Sequence, residues 1–432
     1  MRWWIYNVLF SVAYVVMLPQ FLLRMKRRGG YRNRMGDRFG RYPEEVQARI
    51  REMAGHAVWV HAVSVGEVYV AGQVMAALRQ KDPQIRFVFS TTSSTGWREA
   101  ENLVGEADVL IYNPLDFPPC VRRALEVIRP RALILTESEI WPNLIRMCRR
   151  RGVPLFLVNA RVSDRSAPGY RRLRFWFGPV LRMFTMIMAQ SEMDKRRLVD
   201  AGADPAVIEV TGSFKFDVAR RAPEKEAAAA AFLARHDCGA GRVVLLGGST
   251  WPGEDAVLVA IYKRLRERFA GLRLVLVPRH FEKADAVQHE IEAAGLRCVR
   301  KSRETEGAGG GDTVLVGDTT GELMGFYGKA QIVFVGKSLC EHGAQNMIEP
   351  CLCGAATLLG PNTENFRPVM ADLLDAGAVV QVADAAELER EIARLLADES
   401  ARLAQGARAV AAVERRRGVV ARCAAILLRH CR

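Results

Sequence analysis

Three carboxylates and a lysine stand where proton transfer and charge stabilisation would need them. Glu67 follows the run VWVHAVSVG, Glu137 and Glu139 fall in ILTESEIWPN, and Lys215 lies between two phenylalanines in GSFKFD. A carboxylate at the end of a buried strand can take the proton of an attacking hydroxyl. A lysine can offset the charge gained by a departing phosphate. Glu67 also has a plainer reading, as an acidic residue that complements the dipole at a helix start. A second set of residues suits a nucleotide. Gly247-Gly248-Ser249-Thr250, Arg279-His280 after Pro278, Gly321-Glu322-Leu323 after two threonines, and Asn346-Met347-Ile348-Glu349 in GKSLCEHGAQNMIEP all follow apolar runs. Glycines and free helix-start amides suit a phosphate, and Glu349 suits a pair of ribose hydroxyls. Ordinary capping by Asn346 is the alternative there.

The elements that must hold these residues are legible as strand–turn–helix units. VWVHAV reads as a strand, Ser64–Gly66 as its turn, and Val68–Leu78 as a helix. The same plan recurs in IRFVFSTTSSTGWREAENL, ADVLIYNPLD, RALILTESEIWPNLI, VPLFLVNARVSD, MIMAQSEMDKRRL and IEVTGSFKFD. It restarts in RVVLLGGSTWPGEDAVL, LRLVLVPRH, TVLVGDTTGEL and QIVFVGKSL. Alternation of this kind predicts an α/β chain with parallel sheets, whose ligands bind outside the carboxyl ends of the strands. Ser93–Gly96 could meet a phosphate or simply cap a helix. Arg161 joins Glu67, Glu137 and Lys215 among the residues at strand ends.

The 432 residues leave room for two large domains, and 50% hydrophobic content supplies their cores. The expected divisions are a membrane anchor over 1–24 and a basic juxtamembrane segment over 25–43. A first Rossmann-like domain over 44–217, a linker over 218–240, and a second such domain with C-terminal helices over 241–432 complete the chain. Trp3–Leu23 carries no charge and is long enough to span a bilayer, although an in-plane anchor also fits. RMKRRGGYRNRMGDRFGR follows it, so the positive-inside rule keeps this flank, and the body behind it, in the cytoplasm. Tyr31, Met35 and Phe39 among these arginines suit a lipid-facing surface. The net charge of +14 favours an anionic partner. Aromatic residues do not recur between basic ones as a nucleic-acid stacking platform requires, so no nucleic acid is expected. The nine cysteines show no metal-ligand spacing, Cys351 and Cys353 read as small buried residues, and no metal site is expected. Ser302–Asp312 reads as a flexible surface loop.

HAVSVGE, TESEIWPN, NARVSDRS, GSFKFD, VPRH, GDTTGEL and GAQNMIEP occur in the order seen in the Kdo transferases. The chain resembles that family over nearly its whole length, N-terminal anchor included. The resemblance implies a GT-B fold of two Rossmann-like domains facing a cleft, with the acceptor site in the first and the nucleotide-sugar site in the second. It implies an inverting, metal-independent transfer of 3-deoxy-D-manno-octulosonic acid (Kdo) from CMP-Kdo to a phosphorylated lipid A precursor, lipid IVA. The reaction would take place at the cytoplasmic face of the inner membrane, against its anionic surface. CMP-Kdo is then a donor substrate, and no cofactor is implied. By the same resemblance Glu67 is the general base, and Glu137 and Lys215 stabilise the transition state. Arg279, His280, Gly321, Glu322, Leu323, Asn346, Met347, Ile348 and Glu349 then form the CMP site. One departure is Ala344, where a glycine often stands. Two other readings are a UDP-sugar-dependent lipid glycosyltransferase of the same fold and a non-catalytic membrane protein that binds anionic lipid.

Overall fold

Runs such as AVWVH, ALILT and LFLVNA have no polar face, which suits parallel strands covered by helices on both sides. The structure, a computed structural model, describes residues 3–28, 32–53, 56–239, 241–304 and 310–430. The chain forms two units, Met1–Phe214 with Gly418–Arg432, and Lys215–Arg417. In the first, seven strands form one parallel sheet: β1 (Ala57–His61), β2 (Arg86–Thr91), β3 (Val109–Tyr112), β4 (Ala132–Thr136), β5 (Leu155–Ala160), β6 (Met186–Ala189) and β7 (Ile208–Val210). Their order is β3-β2-β1-β4-β5-β6-β7, so the chain reverses direction across the sheet between β1 and β4. Val58 pairs with Ala132 and His61 with Leu135, which brings the carboxyl ends of these two strands side by side. A crevice at such a switch point is where doubly wound sheets bind ligands.

The second unit repeats the plan. Its strands are β8 (Val243–Thr250), β9 (Leu272–Pro278), β10 (Arg297–Arg300), β11 (Thr313–Val316), β12 (Ile332–Val335), β13 (Ala356–Leu359) and β14 (Val379–Gln381). They run parallel in the order β10-β11-β9-β8-β12-β13-β14, with the reversal between β8 and β12. There Gly336 lies so close to the β8 end that a Cβ would fall 2.2 Å from the Ser249 carbonyl oxygen. Two parallel Rossmann-like sheets in one chain are the GT-B fold.

Two divisions differ from the sequence expectation. The stretch 218–240 is not a free linker: the helix Pro223–Arg235 buries Ala229, Phe232 and Leu233 in the core of the second unit. The final helix, Val419–His430, belongs to the first unit. Its Val419, Cys423, Ile426 and Leu427 share a core with Val68, Ala71, Val74 and Met75 of the helix Val65–Lys81.

One helix, Trp3–Arg28, is long and apolar enough over Trp3–Gln20 to cross a membrane. Its face toward the first unit is polar and aromatic. Tyr6 donates to Asp116 at 2.7 Å, Asn143 donates to Asn7 at 2.7 Å, and Phe10 and Tyr14 meet Phe117 edge-on. Val8, Val12, Val15, Val16 and Met17 are exposed. In the basic segment that follows, Asp37 and Arg38 are buried. Asp37 accepts from Arg34 and the Tyr112 amide, and the Arg38 guanidinium covers the Tyr112 ring. This segment is therefore partly packed against the protein. Of the residues read as lipid-facing, Phe39 is exposed, Met35 is half-buried, and Tyr31 lies outside the described residues. Residues 305–309 of the expected surface loop also lie outside them.

Candidate active site

Glu67 stands at the third position of the helix Val65–Lys81, directly after β1. Ser64 caps that helix, accepting from the Glu67 amide and donating its hydroxyl to Glu67 Oε1 at 2.9 Å. The Val63 amide donates to Oε2 at 3.0 Å. Thr136 Oγ1, at the end of β4, lies 3.2 Å from Oε2 and 3.0 Å from the His61 carbonyl, and its single proton serves one of them. A carboxylate has about four acceptor positions. These contacts fix the group and still leave a lone pair on Oε1 for an incoming proton. Only 8% of Glu67 is exposed, so the carboxylate is shielded but reachable.

Glu137 follows β4 in a left-handed conformation, φ 51°, which a non-glycine residue adopts only at a cost. Its amide donates to the Val158 carbonyl, and its carboxylate meets Arg161 Nε at 2.9 Å and Asn159 Nδ2 at 3.2 Å. The turn thus aims Glu137 at the end of the neighbouring strand β5. Glu139 accepts from Trp141 Nε1 at 3.0 Å. Burial drives its carboxyl up to about 7, and the charges of Glu67 and then Glu137 push the same way, while Trp141 opposes them. Its Oε2 lies 3.8 Å from Nε2 of His61, a fully buried histidine whose Nδ1 faces Ser90.

In the second unit Lys215 opens a short helix, Lys215–Val218, with its Nζ 3.8 Å from the centre of the Phe366 ring. Arg279 and His280 follow β9; Arg279 is exposed, and His280 packs edge-on against Trp251. Gly321, at φ 81°, gives its carbonyl to Lys225 Nζ. Glu322 is already engaged by Lys301 at 2.6 Å and by the Thr319 hydroxyl. Burial alone would raise its carboxyl, but Lys301 and Thr319 outweigh burial and hold it below the ordinary range. Leu323 begins the helix Leu323–Tyr327 and is half-buried. Asn346 donates to Glu349 at 3.0 Å, and burial raises the Glu349 carboxyl. The side chains of Met347 and Ile348 are fully buried in the core, so only their backbone can meet a ligand. Ala344 has φ 54°, the left-handed region where glycine fits without strain, which is the physical reason a glycine suits that position.

Glu67 and Glu137 thus follow two neighbouring strands, β1 and β4, of the first unit. Lys215 opens the second unit ahead of β8, and the residues read as the CMP site follow β9, β11 and β12 in the same unit. Sequence reasoning missed the buried polar residues behind them. Glu254 is fully buried and accepts the amides of Trp251, Lys337, Ser338 and Leu339, tying the β8 turn to the loop after β12. Its signal was a glutamate three residues after the turn residue Trp251. Asp116 and the His61–Glu139 pair were also missed. Asp116 is buried and accepts from Tyr6 and from the Asn143 and Leu144 amides.

The family model described as 3-deoxy-D-manno-octulosonic-acid transferase matches residues 33–218. The chain is 35% identical, over 88% of its length and 88% of the relative, to a 3-deoxy-D-manno-octulosonic acid transferase of Bordetella pertussis. It is 30% identical to that of Haemophilus influenzae, covering 86% of this chain and 85% of the relative. A glycosyltransferase structure from Rickettsia africae superimposes with a TM-score of 0.58 at 13% identity, covering 88% of this chain and 99% of that one. A UDP-GlcNAc 2-epimerase from Neisseria meningitidis does so with a TM-score of 0.56 at 14% identity, covering 87% and 99%. The fold alone therefore does not choose between transfer and epimerisation. The sequence does: this chain belongs to the 3-deoxy-D-manno-octulosonic acid transferase family.

Proposed function

We propose that the protein transfers Kdo from CMP-Kdo to a phosphorylated lipid A precursor with inversion, Glu67 acting as general base. As a member of the Kdo transferase family the chain is a glycosyltransferase. The observation that carries the base assignment is the Glu67 carboxylate. It is fixed by Ser64 and the Val63 amide at the switch point of the first sheet, with acceptor capacity to spare on Oε1. The acceptor hydroxyl loses its proton to Glu67 as its oxygen attacks the anomeric carbon of Kdo. The bond to the CMP phosphate breaks, and the phosphate keeps the electron pair. The negative charge of Glu137 favours the positive charge that develops on the sugar, and Lys215 offsets the charge gained by the phosphate. Glu349 takes the ribose hydroxyls, Arg279 and His280 meet the phosphate side, and the Gly321–Leu323 and Asn346–Ile348 backbone completes the CMP site. The side chain of Glu322, engaged by Lys301, shapes its loop, and its part in the CMP site is its backbone.

This reading includes no metal and no cofactor: basic side chains and helix-start amides carry the phosphate charge. Among the described residues no three His, Cys, Asp or Glu side chains gather as a metal site would need. We place the protein at the cytoplasmic face of the inner membrane. The contacts of Tyr6 and Asn7 hold the N-terminal helix against the first unit and turn Val8, Val12, Val15 and Val16 outward. That favours a helix lying in the membrane surface over one that crosses it. Nucleotide choice tests the donor: CMP should raise the melting temperature and UDP should not. Protection by UDP alone would overturn the CMP assignment in favour of a UDP-sugar transferase.

A further inference from the structure

His61 is fully buried in β1, and its Nδ1 lies 3.1 Å from the Ser90 carbonyl, which can only accept. The Ser90 hydroxyl, 2.9 Å from the same nitrogen, has Asn113 Oδ1 as an acceptor of its own at 3.3 Å, so with Nδ1–H donated to Ser90 the Nε2 atom presents a bare lone pair. That atom is buried and has no hydrogen-bond partner in the structure, and Glu139 Oε2 lies 3.8 Å away, just beyond hydrogen-bond length. A buried acceptor facing a carboxylate is unfavourable unless a proton lies between them. Glu137, the other acid of TESE, is already paired with Arg161. Building on the transfer reading above, we propose that Glu139 is a positioning residue for the acceptor side of the reaction. Its carboxyl holds a proton toward His61 Nε2 and keeps a further unpaired negative charge away from Glu67.

The surroundings agree on where the proton rests. Burial takes Glu139 up to about 7 and His61 down to about 4, so of the two groups the carboxyl holds the proton, and it does so below about pH 7. The titratable and charged groups facing Glu139 are Glu67 from the helix after β1, His61 from β1, Glu137 beside it with Arg161 after β5, and Tyr170 from the helix Ala167–Arg172. Trp141 adds its ring N–H. While Glu139 is neutral, the other charged carboxylate beside Glu67 is Glu137, which Arg161 offsets, and Glu67 meets the acceptor hydroxyl without a further unpaired charge. Once Glu139 ionises, two carboxylates face an acceptor that is itself anionic, and repulsion weakens acceptor binding. The step involves one proton leaving to solvent and no other bond.

The test is the pH dependence of Kdo transfer from CMP-Kdo to lipid IVA by the full-length protein and by Glu139→Gln, whose amide stays neutral at every pH. In the parent, kcat/KM for the lipid should fall above about pH 7, up to about tenfold per pH unit, with the loss in KM more than in kcat. In E139Q that fall should flatten while activity near neutrality is kept; ionisation of the lipid phosphates affects both proteins alike. Trp141→Phe removes the donor that favours the charged form, so its limb should move to higher pH. Profiles of E139Q and W141F that superimpose on the parent's would overturn the proposal. So would a folded E139Q inactive at every pH, because the charge of Glu139 would then be needed. A parent that transfers no Kdo at any pH would instead refute the transfer reading on which the proposal rests.

Discussion

Replacing Glu67 by glutamine separates a catalytic base from a helix cap. The amide can keep the observed contacts, with its oxygen accepting from the Val63 amide and Thr136 and its nitrogen donating to Ser64 Oγ. What is lost is the negative charge at the third residue of a helix, about 0.3–1 kcal/mol of stability, and the ability to accept a proton. General-base catalysis is worth about 10²–10⁴ in rate, or roughly 3–5 kcal/mol of barrier. E67Q should therefore melt close to the parent, bind CMP as the parent does, and transfer Kdo at least about a hundredfold more slowly. Single-turnover transfer with enzyme in excess, together with calorimetry of CMP on the same preparation, reads both quantities. Transfer within a few-fold of the parent would show that Glu67 is a helix-start residue and no more.

Glu139 should also make stability pH-dependent. Its carboxyl titrates at about 7 in the folded protein against 4.5 ordinarily. The protonated form is thus favoured by folding, and its contribution is complete below about pH 4.5 and lost as pH rises through about 7, at most about 3 kcal/mol in all. Urea unfolding at pH 5 and pH 8 should show a smaller fall for E139Q than for the parent; equal falls would contradict the shift. Glu254→Ala strips four amides of their acceptor and should cost at least about 3 kcal/mol in urea unfolding, against near-parental stability if the loops hold without it. Glu349→Ala should weaken CMP binding roughly 10- to 150-fold by calorimetry, the worth of one charge-assisted hydrogen bond, and unchanged affinity would remove Glu349 from the site.

Central strands such as β1, β4, β8 and β12 were legible because a parallel strand buried on both faces is an unbroken apolar run. The edge strands of the second sheet were not: β10 reads Arg-Cys-Val-Arg, and β14 spans three residues. β13 hid in an Ala- and Leu-rich stretch whose composition also suits a helix. The attachment of Val419–His430 to the first unit was invisible for a different reason. An amphipathic helix announces that it has a buried face, but not which surface will cover it. The same limit applied to the site. Glu67 and Glu137 could be singled out by their places after apolar runs, but their nearness depends on β1 lying beside β4. His61 looked like part of a strand, and only the fold shows that its buried, unbonded Nε2 lies 3.8 Å from Glu139. Met347 and Ile348 stood inside a motif, yet packing places their side chains in the core.

The most direct measurement is the mass of the lipid after incubation of the purified protein with CMP-Kdo and lipid IVA in EDTA. A gain of one or more Kdo residues, with CMP released, is the predicted result. An unchanged lipid with CMP-Kdo, or a gain only when a UDP-sugar or a divalent metal is supplied, would contradict the proposed donor or the proposed independence from metal.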